Sequence, residues 1–198
     1  MVTSRKKTVK RTTGETTVTV SINLDGSGRV SASTGISFID HMIIAFTKHA
    51  MMDLKINAVS KDNIEHHLVE DVAITIGSAI DKALDKRSGI TRFGHASIPM
   101  DEALAEASVD LVRRQFSVIS LSLKRSNIEK VSKEDLEHFF QSLLINMNSC
   151  IHVTVKDGKN DHHKVESAIK SLAVALRQAM SFDSKQKGIP STKGKMVD

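Results

Sequence analysis

Two segments of the form His-His-x-x-Glu carry the most chemistry in this chain. "EHHLVED" spans residues 65–71 and "DHHKVES" spans residues 161–167, so the motif repeats after 96 residues. Imidazole and carboxylate are both cation ligands, and residues four apart share one face of a helix. His66 and Glu70 therefore face the same way, as do His162 and Glu166. Adjacent positions such as His66 and His67, or His162 and His163, point roughly 100° apart on a helix. Such a pair is badly placed to hold one ion and well placed to serve two. A further histidine precedes each motif: "DHM" puts His41 25 residues before His66, and "EHF" puts His138 24 residues before His162. A lone histidine is ordinarily a surface or capping residue, but two matched triplets are not so explained. Six imidazoles and two carboxylates divide evenly into two sites of three His and one Glu. No thiolate belongs to the set, which argues against a structural zinc cage. An octahedral ion with four protein ligands keeps two positions open for substrate or water. Mn²⁺ fits this donor set, as do other divalent first-row metals.

Helices must project these side chains, and strands must carry the helices. "KTVKRTT" and "TTVTVSINLDGSG" alternate and are rich in Thr and Val, so they read as two strands, with "DGSG" (25–28) turning into a third, "RVSAST". "SFIDHMIIAFTKHA" has apolar residues at helical spacing, and "MDLKINAVS" alternates again. From Ile64 to about Lys86 the pattern is helical, with Asp62 or Asn63 as its cap. The same order recurs. "HASIPM", "ALAEASVDLV" and "QFSVISLSL" read as strands. "SKEDLEHFFQSLLINM" reads as a helix capped by Ser132 with Asp135 in the capping-box position. "CIHVTVKDG" is a strand, and Asn160 caps a helix to about Met180. Each half thus reads β-β-β-α-β-α, which places an α/β (α+β two-layer) duplication over residues 1–92 and 93–184. A basic tail occupies 185–198. Cys150 reads as a small buried residue at a strand start. Leu143, Leu144, Met147, Leu172, Val174 and Leu176 read as core.

Composition narrows the function. The net charge is +5 and the pI about 9.3, a balance that attracts anions. With no Trp, no Tyr and seven Phe, stacking platforms for nucleic acid are scarce, so a small anionic molecule is the expected partner rather than nucleic acid. No apolar run reaches the ~18 residues of a membrane span, so no membrane partner is expected. "MVTSRKKTVKR" lacks the apolar stretch of a signal peptide, and the single Cys150 forms no internal disulfide. Both point to a cytoplasmic protein.

The motifs "TGISFIDHM", "HHLVEDVAITIG", "GITRFGHASIPMDEALAEASVDL", "EHFF", "GKNDHHKVESAIKSLAVALRQA" and "PSTKG" closely resemble the imidazoleglycerol-phosphate dehydratase family of histidine biosynthesis. The resemblance runs from Glu15 to Gly194. It implies a duplicated fold like the second domain of ribosomal protein S5, in agreement with the twofold pattern. It implies a lyase that dehydrates D-erythro-imidazole-glycerol phosphate to imidazole-acetol phosphate with two Mn²⁺ per subunit. The ligands carried over are His41, His66, His67, Glu70, His138, His162, His163 and Glu166. It also implies a symmetric homo-oligomer of about 24 subunits, with the metal sites at subunit interfaces. Two ions suit one imidazole(ate), whose nitrogens lie on opposite sides of the ring.

By the same resemblance, Glu15 in "TTGETTV" is the candidate general acid/base, with Glu70 and Glu166 beside it as catalytic carboxylates. His41, His49, His66, His67, Glu70 and His162 are the implied substrate contacts. Arg92, Arg114, Ser191, Thr192 and Lys193 are the implied phosphate contacts. Asp40, Asp71 and Glu137 adjoin ligand histidines and are candidates for orienting them. Where the family usually reads "DLSGRP", this chain has "DLVRRQ" (110–115), which keeps Arg114 but loses the neighbouring Gly and Pro. Three rival readings remain: a di-metal phosphoester hydrolase, a metal-dependent structural scaffold, and an RNA-binding protein. The His-rich ligand set weighs against the first, the phosphate-binding cations against the second, and the scarcity of aromatics against the third.

Overall fold

Alternation of Val and Ile with Thr and Ser builds the first sheet, because one face of each strand is buried and the other is open. The structure is a computed structural model that describes residues 4–196. β1 (Lys6–Thr12), β2 (Thr16–Asn23), β3 (Val30–Ser33) and β4 (Asp53–Ser60) form a sheet in the order β1-β2-β4-β3. Val18, Val20 and Ile22 of β2 face inward beside Leu54, Ile56 and Ala58 of β4. β3 runs parallel to β4 and so needs a crossover, which α1 (Ser37–Ala50) provides. α2 (Glu65–Leu84) follows β4 and packs on β1 and β2.

The second half repeats the plan. β5 (Phe93–Met100), β6 (Ala103–Asp110), β7 (Phe116–Ser120) and β10 (Cys150–Asp157) form a sheet in the order β5-β6-β10-β7, and β7 runs parallel to β10. α3 (Lys133–Asn146) is the crossover helix, and α4 (Asp161–Met180) packs on β5 and β6. The two four-stranded sheets and four helices form a duplicated α+β fold. The helices pair across the repeats: α1 lies on α4, and α2 lies on α3.

Several local expectations are corrected. β7 ends at Ser120, and a short hairpin of β8 (Asn127–Ile128) and β9 (Val131–Ser132) precedes α3, where one continuous strand was expected over 115–123. Ser132 and Asn160 do cap their helices, accepting from the N–H groups of Asp135 and His162. α2 instead has Ile64 at its cap position with no side-chain cap bond, while Asp62 accepts from the Ile64 N–H at 3.0 Å. Cys150 is half-exposed, because odd-numbered Ile151, Val153 and Val155 take the inner face of β10. Val174 is likewise only partly buried against the core. The ends of the expected halves and tail, residues 1–3 and 197–198, lie outside the described residues.

Candidate active site

Helix pairing decides which ligands meet. The α1–α4 contact brings His41 of the first half to His162 and Glu166 of the second. His41 Nε2 and His162 Nε2 lie 3.4 Å and 3.3 Å from the same Glu166 carboxylate oxygen. The α2–α3 contact makes the converse exchange and brings His138 to His66 and Glu70. There the His66 and His138 rings stack 4.8 Å apart, and His138 Nε2 is 3.8 Å from Glu70. Each cluster therefore takes its leading histidine from one repeat and its histidine–glutamate pair from the other. Among the described residues, the expected division into three His and one Glu is not assembled within one chain: neither His67 nor His163 belongs to either cluster. His67 sits instead with Asp62 and Glu15.

The side chains that orient these rings are not the sequence neighbours. Asp40 accepts from Thr34 at the start of α1, Asp71 is buried and paired with Arg11, and Glu137 pairs with Lys133. Four other carboxylates hold the Nδ1 atoms of the doubled histidines. Asp135 contacts His66 at 2.6 Å, Asp62 contacts His67 at 2.7 Å, Glu129 contacts His162 at 3.2 Å and Glu102 contacts His163 at 2.7 Å. A neutral imidazole that donates from Nδ1 presents a lone pair at Nε2. Asp62 follows the end of β4, Glu102 lies in the β5–β6 turn, Glu129 in the β8–β9 turn and Asp135 in the first turn of α3. Only Asp62, five residues before His67, was within reach of local sequence reasoning. Among the described residues, the Nδ1 of His138 is buried without a partner.

Electrostatics follow from these contacts. The Ile64 N–H, aided by His67, brings the Asp62 carboxyl down to about 2. His163, aided by the Asn160 N–H, brings Glu102 down to about 2. In return Asp62 raises His67, and Glu102 raises His163, above the ordinary histidine value. Burial opposes ionisation of Glu166, but Lys170 at 2.7 Å and His41 outweigh it and lower its pKa. His49 is lowered by desolvation and by the charge of Lys170. Lys170 thus touches Glu166 and acts on His49, a contact that its i,i+4 spacing from Glu166 could have signalled.

Glu15 lies in the β1–β2 turn, 3.7 Å from His67 Nδ1. The phosphate candidates converge elsewhere. Arg92, Arg114, Ser191, Thr192 and Lys193 line a pocket of about 100 Å³ with Lys195. Arg92 is ion-paired with Asp110 at 2.7 Å and donates to the Pro190 carbonyl, so it ties the tail to β5. Arg113 extends the tie, its N–H donating to the Met196 carbonyl. Arg114 is exposed.

The fold and the site define a duplicated α+β protein with two histidine–carboxylate clusters exchanged between its halves and a separate cationic pocket. The chain belongs to the imidazoleglycerol-phosphate dehydratase family, whose model matches residues 34–176. It is therefore an enzyme, a lyase of the dehydratase type. An imidazoleglycerol-phosphate dehydratase from Chlorobium luteolum is 45% identical over 96% of this chain and 94% of that protein. The crystal structure of the Staphylococcus aureus enzyme matches with a TM-score of 0.81 at 29% identity, covering 90% of this chain and 99% of that one. That of the Pyrococcus furiosus enzyme, in complex with (S)-C348, matches with a TM-score of 0.79 at 34% identity, covering 94% of this chain and 99% of that one.

Proposed function

We propose that the chain dehydrates D-erythro-imidazole-glycerol phosphate to imidazole-acetol phosphate in histidine biosynthesis, with two Mn²⁺ per subunit, in the cytoplasm. The observation that carries this reading is the pair of exchanged clusters. In the first, Glu129 lies 3.2 Å from His162 Nδ1, and a neutral ring that donates there turns its Nε2 lone pair toward the Glu166 carboxylate 3.3 Å away. Two acceptors facing each other at that range call for a cation or a proton between them. Mixed imidazole and carboxylate donors fit a divalent ion such as Mn²⁺. His41, His162 and Glu166 would hold one ion, and His66, His138 and Glu70 the other. Held there, such ions would supply Lewis-acid polarisation of the substrate imidazole, which would acidify the adjacent carbon-bound proton.

The chain's own groups supply the rest. Glu15, at the turn beside His67, is the group we assign to proton transfer between the substrate carbon and the departing hydroxyl. His49, which feels the charges of Lys170 and Glu166, would contact the substrate. Arg114, Arg92, Lys193, Ser191 and Thr192 would bind the phosphate through charged hydrogen bonds. His67 and His163 fall outside the two exchanged clusters of their own chain, which supports sites completed between neighbours; the assembly would be the homo-oligomer of about 24 subunits that the family resemblance implies. The functional division that fits this is two half-repeats, 1–92 and 93–184, with a phosphate-binding tail, 185–198. The test is a direct assay with imidazole-glycerol phosphate and Mn²⁺. Folded, metal-loaded protein that forms no imidazole-acetol phosphate would overturn the reading.

A further inference from the structure

The two halves differ most in the link before their crossover helices. In the first half only residues 34–36 separate β3 from α1, whereas residues 121–132 separate β7 from α3. The longer link folds over the first turn of α4. Asp161 accepts from the N–H groups of Lys124 at 2.8 Å and Arg125 at 2.7 Å. Lys164 donates to the Ser122 carbonyl at 2.8 Å and to Asp161 at 2.9 Å. Asp161 and Lys164 are 1% and 2% exposed, so this is an interior latch that fixes the link against the helix bearing His162. At the tip, Glu129 and Lys130 join β8 to β9 with φ angles of 49° and 73°. A two-residue hairpin with positive φ at both positions is a turn that Asn-Gly favours. Glu and Lys adopt it at a steric cost, since their Cβ crowds the backbone. Strain of this kind persists where the surroundings impose it, often at a functional site. Here the strained turn aims the Glu129 carboxylate at His162 Nδ1, 3.2 Å away.

We propose that Glu129 is a positioning residue for the cluster of His41, His162 and Glu166, and that the 121–132 link serves to present it. The inference rests on the two-ion reading above. Glu129 fixes the His162 tautomer and ring angle so that Nε2 meets Glu166. Asp135, just beyond the link, does the same for His66 in the other cluster, so each cluster has its own carboxylate.

The test uses the full chain, Mn²⁺ titration by calorimetry, the electron paramagnetic resonance of bound Mn²⁺, and melting of the metal-free protein. The parent is expected to bind two ions. Glu129→Ala should weaken one of them by about 10- to 100-fold and leave the other unchanged. Glu129→Gln keeps an acceptor oxygen and should restore most of that affinity. Glu129→Gly should relieve the turn and raise the metal-free melting temperature while weakening the same ion. Lys130→Gly should also raise the melting temperature but leave both ions unchanged. The proposal is overturned if Glu129→Ala binds both ions as the parent does. It is equally overturned if both ions weaken in step with a lower melting temperature, which would make the turn merely structural. A parent that binds fewer than two ions would take down the two-ion reading and this inference together.

Discussion

Arg92 and Arg114 line one pocket but are committed differently. Arg92 spends its guanidinium fork on Asp110, at 2.7 Å and 3.0 Å, and Arg114 is exposed. Replacing Arg114 by Ala should therefore weaken a phosphate-bearing ligand without releasing metal. A charged hydrogen bond is worth ~1.5–3 kcal/mol, roughly 10- to 150-fold in affinity. Calorimetry with a phosphate-bearing inhibitor checks this; unchanged affinity would make Arg114 structural and turn attention to Arg113. Replacing Arg92 should in addition cost stability, because Asp110 loses its partner. The doubled histidines give a pH prediction. His67 and His163 are raised by Asp62 and Glu102, which stay ionised with values of about 2. A raised histidine stabilises the metal-free fold below its unfolded value, and that contribution is lost as pH rises through the folded value. A metal competes with the same proton, so the sign for binding is opposite. Mn²⁺ affinity should fall as pH drops through the raised values, beginning above the ordinary histidine value of 6.5. Glu102→Gln should move one such decline to lower pH. Identical profiles for Mn²⁺ affinity against pH in parent and variant would refute this.

The helix pairs are the elements on which each cluster depends, and a glycine lies in the α2–α3 contact. A Cβ at Gly77 of α2 would sit 2.5 Å from the Leu143 carbonyl and 2.9 Å from Asn146 Cβ of α3. Gly77→Ala must push α3 outward. Overpacking of this kind costs about 1–3 kcal/mol. The same shift carries His138 away from Glu70, already 3.8 Å apart. The variant should melt earlier and lose the ion of the His66, His138 and Glu70 cluster before the other; equal loss of both ions would count against it. What the sequence made legible follows from the range of each interaction. Ser132 and Asn160 were readable as caps because their partners lie two or three residues away. The 115–123 segment alternates like a strand, yet its end leaves the sheet, where Asp161, 36 and 37 residues on, captures the N–H groups of Arg125 and Lys124 just beyond it. The doubled histidines and glutamates were readable from spacing, but which of them meet was not, because α1–α4 and α2–α3 pairing is tertiary. Asp40, Asp71 and Glu137 were plausible only by adjacency. Neighbours on a helix diverge by roughly 100°, so the orienting carboxylates had to come from other elements.

At the scale of the molecule, the unpaired halves of the design bear on assembly. His67 and His163 are each held by a carboxylate at 2.7 Å, outside the clusters that would use them. If an ion held by one chain's cluster takes His67 or His163 from a neighbour, its binding free energy is available only to the assembled state. A ligand that binds one state alone shifts the equilibrium toward it by mass action. Chelation should then move the protein to a smaller species, and added Mn²⁺ should restore the larger one together with activity. Acid should mimic the chelator, because ligand imidazoles must be neutral to bind metal. Light scattering or sedimentation of one sample, before chelation, after it and after Mn²⁺ is returned, makes the comparison. A fully stripped protein that keeps its assembled mass throughout would place each site within one chain, or in an interface that needs no metal.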